Sequence, residues 1–336
     1  MTTVARTMSV CAAALLGAGF ITAGVASAGP PCTRVIRNVA EARAGITAAV
    51  PGDTLCFAGV DLADVDLTVV RSGTATAPIR LISDGQTTIH QLHILADHVV
   101  IQGFTIVGGG ELLLAGTGIV AQKNTVRDTV HGGIICAECI DSTIAANTVT
   151  HVATTGISIS GQRITVRENL VSATVPVDDG DADGVRFFGS GHRIISNMIR
   201  DIPAKGAAHP DCFQTSDTGH PATFDVEIVG NGCQNVAENC LLATGDESGN
   251  GEAPPGARSI TFTGNTCATT GEQGVTLRRW PHADLRKNQF SGPNLKRGIL
   301  ISAGSTNCIA KDNTTERGVA PVEIDDSSRP GFNSPS

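Results

Sequence analysis

The sequence predicts an all-β fold, a parallel β-helix (solenoid) with an N-terminal capping helix. Three observations carry that prediction. An eight-residue pattern, apolar-x-apolar-x-x-Asn-x-apolar, recurs along the chain and places Asn at 124, 147, 169, 197, 231, 265, 288 and 313. Apolar and polar residues alternate around each Asn, the period of a strand with one buried face. Gly is abundant, 39 of 336 residues, while rings are scarce: ten Phe, one Trp and no Tyr. Short strands of Val, Ile and Ala joined by Gly-rich turns fit a narrow stacked rod.

Each element follows in order. Residues 1–28 read as an export signal: Arg6, then an apolar run from Val10 to Val25, then Ala26-Ser27-Ala28 before Gly29. Residues 29–324 form one domain. Asn38-Val39-Ala40-Glu41 is a capping-box pattern opening an Ala-rich helix to about Val50. That helix covers the first rung, because a solenoid needs an end cap. Pro51-Gly52-Asp53 turns into the strand TLCFAG. Rungs then follow: IVAQKNTV at 119–126, STIAANTV at 142–149, ITVRENLV at 164–171 and so on to CIAKDNTT at 308–315. VVIQGFTI at 99–106 is a degenerate copy with Phe104 in the Asn place. A second short strand follows most copies, as in GISI at 156, GVRF at 184 and GVTL at 274. Nine such rungs at about 4.8 Å each make a rod of about 40 Å. Asn repeated at one turn predicts a side-chain ladder. Residues 325–336, rich in Ser, Pro and Gly, read as a flexible tail.

A net charge of −8 and a pI near 5.5 argue against a nucleic-acid partner. No second run of about 18 apolar residues exists, so no membrane association is expected, and the protein is expected to be a monomer. Nine Cys remain after residue 28, which in an exported chain predicts disulfides with at least one thiol left over. Cys32 and Cys56 could pin the cap. Rung alignment makes Cys212 a neighbour of Cys240 and Cys233 a neighbour of Cys267, suggesting stacked disulfides or stacked thiols, with Cys233–Cys240 as an alternative. Cys136-x-x-Cys139 has no second such pair and no helix pattern, which argues against zinc or redox chemistry.

The run AAVPGDTLCFAG, then SGTATAPIRLISDG, then Asn-anchored rungs, resembles secreted right-handed parallel β-helix proteins of the pectate lyase-like superfamily. The resemblance covers nearly all of the chain after residue 28. It implies a right-handed β-helix and a polysaccharide substrate. Members include polysaccharide lyases, inverting glycoside hydrolases, uronate epimerases, phage depolymerases and non-catalytic adhesins, so the fold alone settles no activity.

Candidate site residues gather where rungs lengthen. Asn-to-Asn spacing is 22–25 residues in most rungs but 28, 34 and 34 across Asn169, Asn197, Asn231 and Asn265. Extra residues in a solenoid become loops, often on the binding face. Asp183-Gly184-Val185-Arg186-Phe187 and Asp211-Cys212-Phe213-Gln214-Thr215 each begin 14 residues after a ladder Asn. Asp183 should therefore stack on Asp211, Arg186 on Gln214, and Asp181 near His209. Two carboxylates that close cannot both ionise cheaply, which is the requirement of an acid/base pair. His209-Pro210-Asp211 resembles H-P-D or P-H-D strings near active sites of some secreted β-helix proteins, including alginate epimerases. Arg186, Phe188, Gln214 and Arg278 should face one groove. Arg278, Arg279 and Trp280 could contact sugar, the Arg residues through paired hydrogen bonds to a uronate carboxylate. Lys205, in a loop, is a candidate base. Asp179, Asp181 and Asp183 resemble the start of a calcium loop, but Ser190 stands where an EF-hand needs Glu.

Three functions compete. A polysaccharide lyase acting by β-elimination on a uronate-containing glycan would use His209 or Lys205 as base, with Arg186, Gln214, Arg278 or a bound calcium ion neutralising the carboxylate. A glycoside hydrolase (or epimerase) would use Asp183 and Asp211, helped by Asp181. A glycan-binding or structural β-helix would use neither. The lyase reading is preferred, although the net acidic chain repels an anionic polymer overall.

Overall fold

In the computed structural model, residues 31–177, 180–246, 250 and 253–334 are described. The expected export signal at 1–28 and Asp179 of the expected calcium loop lie outside them. The chain from Cys32 onward winds as a parallel β-helix whose coil has three strand-bearing faces. The first face is one parallel sheet of twelve strands, from Arg34–Ile36 to Ile309–Lys311. The other two faces join into a twenty-strand set. The second face holds the strand after each turn, such as Leu170–Ser172 and Met198–Ile202. The third holds the next strand, such as Ile157–Gln162, Val185–Ser190 and Phe213–Ser216. Twelve strands on one face exceed the nine rungs read from Asn. The three extra turns come first, at Arg34–Ile36, Thr54–Phe57 and Ile79–Ser83, and carry no ladder Asn to betray them.

The capping helix runs Val39–Ala48, and Asn38 accepts the Glu41 N–H at 2.9 Å. Glu41 reciprocates through the Arg37 N–H at 2.8 Å, one residue earlier than a standard box. Inside, Ile, Val, Leu and Phe side chains stack in columns at almost zero exposure.

The Asn ladder is continuous. Each member before Asn313 donates its backbone N–H and its Nδ2 to Oδ1 of the Asn one rung on; Asn169 reaches Asn197 Oδ1 at 3.0 and 2.9 Å. Its Nδ2 also reaches the Ile144 carbonyl one rung back at 2.9 Å. Phe104 occupies the ladder position in its rung, gives its N–H to Asn124 Oδ1 at 3.1 Å and packs edge-on to Phe57. Every ladder Asn is preceded by a left-handed residue: Lys123, Ala146, Glu168, Ser196, Gly230, Gly264, Lys287 and Asp312. Only two of these eight are Gly, so six turns hold an L-residue at positive φ, at a cost of about 1 kcal/mol each.

A second column explains the glycines that open the third-face strands. A Cβ on Gly156 would lie 2.3 Å from Val171, and one on Gly184 2.4 Å from Ile199. Gly is needed there because a bulky side chain of the next rung fills the space. Cys212 and Cys240 occupy the same column in the following rungs, and there the bulky residue is replaced by Cys233 and Cys267. The disulfides are accordingly Cys212–Cys233 and Cys240–Cys267. This corrects the pairings expected from register. Cys233 does stand opposite Cys267, but each sulfur bonds diagonally, from the third face of one rung to the second face of the next. Cys32–Cys56 is bonded as expected, Cys136–Cys139 forms its own disulfide, and Cys308 is a buried thiol.

Beyond residue 324, where a flexible tail was expected, a short 3-10 turn at Asp326–Ser328 is capped by Asp325, and Ser328 is buried. Asn333 bridges to Ile309. No helix among the described residues is long and apolar enough to cross a membrane.

Candidate active site

The site lies on the third face, at the start of strands Val185–Ser190 and Phe213–Ser216, fed by the long loops before them. Arg186 and Gln214 are register partners, as their spacing predicted. Asp181 joins the two rungs. Its carboxylate accepts the His209 N–H at 2.9 Å and the Gln214 Nε2 at 3.2 Å, and it lies 3.2 Å from His209 Nδ1. The His209 ring is exposed, and its Nε2 has no hydrogen-bond partner among the described residues.

Asp183 and Asp211 are indeed stacked, but neither reaches the groove. Both are fully buried. Asp183 Oδ1 accepts the Asp211 N–H at 2.9 Å, and Asp211 Oδ1 accepts the Asn239 N–H and Nδ2 at 2.7 and 2.8 Å. Asn239 Oδ1 in turn accepts the Thr276 hydroxyl. This is a second, shorter ladder. Asp183 Oδ2 receives both Nε and Nη2 of Arg186, whereas Asp211 Oδ2 is buried without a partner. Burial, then the neighbouring Asp183 charge, push the Asp211 carboxyl well above the usual carboxylate range. Burial also raises Asp183, against the pull of the Arg186 guanidinium. The two carboxylates expected as an acid/base pair therefore act from inside the wall. Asp183 aims Arg186, and Asp211 ties the strand to the next rung.

Other predicted residues sort cleanly. Trp280 is fully buried, so it packs in the rod and offers no platform to sugar. Phe188 points outward but lies under His220, ring centroids 3.7 Å apart, so it too is covered. Arg278 is exposed at the end of its strand, in register with Thr244 and Ser302. Arg279 follows it at a left-handed turn. Lys205 is exposed in the loop before Ala208, with no ion-pair partner among the described residues. Of the calcium loop, Asp181 accepts from His209 and Gln214, and Asp183 from Arg186 and Asp211.

A hollow of about 950 Å³ opens at the other end of the same strands, lined by Glu138, Gln162, Asp217, His220, Phe224 and Asp246 among others. Asp217 Oδ1 accepts the Asp246 N–H at 2.7 Å. The Cys136–Cys139 disulfide closes a bulge that turns Glu138 out at φ 51° toward this hollow. Sequence reasoning missed these residues, although Asp217 and His220 fall in one of the recognised insertions and Glu138 between the two Cys.

The fold and these columns define a right-handed parallel β-helix. The chain belongs to the right-handed β-helix family, whose model, a right handed beta helix region, matches residues 112–315. No curated protein sequence matches the chain. Among solved structures, the Agl-KA catalytic domain superposes with a TM-score of 0.57 at 13% identity over 88% of this chain and 64% of its own. A PL6 family polysaccharide lyase from Pseudopedobacter saltans gives 0.53 at 15% identity over 84% of this chain and 64% of its own. PfbA, a surface adhesin of Streptococcus pneumoniae, gives 0.52 at 11% identity over 87% and 83%. The chain thus spans just under two thirds of the first two, and at these identities the likeness is one of fold.

Proposed function

We propose that this protein is a secreted polysaccharide lyase that cleaves a uronate-containing glycan by β-elimination. One observation carries the reading: an exposed His209 is paired with Asp181, which also holds Gln214, the register partner of a partly exposed Arg186 bonded to buried Asp183. Asp181 accepts the Nδ1 proton and leaves Nε2 as the base that takes the proton α to the uronate carboxyl. Arg186 and Gln214 receive that carboxylate as negative charge builds on it. The C–H and the C–O bond to the leaving sugar break, a C=C bond forms, and the leaving oxygen takes a proton from the imidazolium or Lys205. Four disulfides suit export to an oxidising compartment.

A hydrolase reading draws on Asp217 and Asp246 in the neighbouring hollow, since Asp183 and Asp211 are sealed off. A panel of acidic and neutral glycans separates the two. Elimination leaves an unsaturated uronate with ultraviolet absorbance; hydrolysis leaves reducing ends without it. His209→Ala should cost about 10²–10⁴-fold in rate with the fold intact. Reducing ends without absorbance, or full activity in that variant, would sink the lyase reading.

A further inference from the structure

The two ends of the third-face strands differ in chemistry. One end presents Arg186, Gln214 and His209; the other opens into the hollow of about 950 Å³, a volume in the range of a ligand pocket. Part of its wall is bare backbone over two rungs. A Cβ on Gly189 would stand 2.1 Å from the Gly161 carbonyl oxygen, and one on Gly161 2.1 Å from that of Cys139. No other residue fits at either position, so the chain keeps this wall open. We propose that the hollow is a second sugar subsite, which takes an uncharged, hydroxyl-rich sugar next to the uronate, so that the substrate is a glycan alternating the two. The placing of the uronate rests on the lyase reading; the preference of the hollow does not.

Three features favour an uncharged sugar there. The lining includes Glu138, Asp217 and Asp246 but, among the described residues, no Lys or Arg. Carboxylates accept hydrogen bonds from sugar hydroxyls, whereas a second uronate would meet like charge. Next, His220 lines the hollow, is exposed, and stacks on Phe188 with 3.7 Å between ring centroids and 17° between planes. A ring held flat with one face covered offers the other to the apolar face of a pyranose. Spacing is the third feature. Arg186 and Ser190 lie near the two ends of one strand, and Ser190 lines the hollow. At the rise of a strand they are about 13 Å apart. A disaccharide laid along the strand covers that span, so one sugar meets Arg186 and Gln214 while its neighbour enters the hollow. The His220–Phe188 stack stands between the two, where the linked sugars pass.

The test measures binding by calorimetry in His209→Ala, which under the lyase reading does not turn over its ligand. The probes are tetrasaccharides of glucuronate, mannuronate or galacturonate, each as a homopolymer and as a copolymer alternating with an uncharged hexose. One alternating copolymer should bind about tenfold tighter, or more, than its homopolymer. Ala222→Trp, which fills the hollow, should abolish that preference. Glu138→Lys, a change at an exposed residue, should shift it toward the homopolymer. Homopolymer bound as tightly as copolymer, no binding of either kind, or a preference that both variants retain overturns the proposal. The wild-type protein separates this outcome from the lyase reading. Elimination without a preference for copolymer sinks the subsite alone; the expected preference without an unsaturated product sinks the lyase reading alone.

Discussion

The molecule contains two side-chain ladders, built on the same rungs and governed by different chemistry. The Asn ladder runs through eight rungs, and each amide both donates and accepts. The Asp183–Asp211–Asn239 ladder is short and carries carboxylates, which accept but cannot donate when ionised. Its upper end needs Arg186 to neutralise it, and its middle leaves Asp211 Oδ2 buried and alone. A purely structural column would use amides throughout. The charged ladder occurs only under the long loops, where it fixes an outward cation and the strand behind His209.

Breaking the neutral ladder should have the largest effect. Asn197→Ala takes away the oxygen that accepts the Asn169 N–H and Nδ2, and the Nδ2 that serves the Val166 carbonyl and Asn231 Oδ1, leaving Asn231 Oδ1 only the backbone N–H of residue 197, and should cost about 3–5 kcal/mol by denaturant unfolding. Arg186→Met removes the partner of buried Asp183. Because Arg186 is partly exposed, the loss should be smaller, about 2 kcal/mol, but activity should fall with it if Arg186 receives the substrate carboxylate. Asp211→Asn tests the raised carboxyl. Above the ordinary Asp value, near 4, the unfolded chain has lost a proton that the folded chain still holds, so wild-type stability should fall as pH rises until the folded value is passed. Unfolding at a series of pH values should show that slope, and Asp211→Asn should flatten it while changing stability near pH 4 by about 1 kcal/mol or less. Smallest of all, Ala146→Gly relieves a left-handed L-residue beside Asn147 and should raise stability by about 0.5–1 kcal/mol.

The two ladders also differ in how readable they were. The Asn column announces itself because one residue type recurs at one phase of the strand period. Spacing also placed Asp183 over Asp211 and Arg186 over Gln214. It could not give the direction of a side chain at a turn, where alternation stops, so two buried carboxylates were read as groove residues. Trp280 was misread for a similar reason: it follows the exposed Arg278 just past the strand end, where the chain turns inward. The His220 cover on Phe188 belongs to a loop and leaves no periodic trace. The diagonal disulfides were legible in principle, since Cys replaces both Gly184's column and its bulky neighbour, but only once the contact between those columns is known.

The Asn ladder has a direction. From Asn124 to Asn288 each ladder Asn hands its backbone N–H forward to an oxygen that belongs to the rung after it. A rod made from its N-terminus therefore always carries an unfinished tip during synthesis: the newest Asn has already served its predecessor, while its own amide waits for sequence still to be translated. Growth is templated one way, each coil creating the demand that the next coil meets.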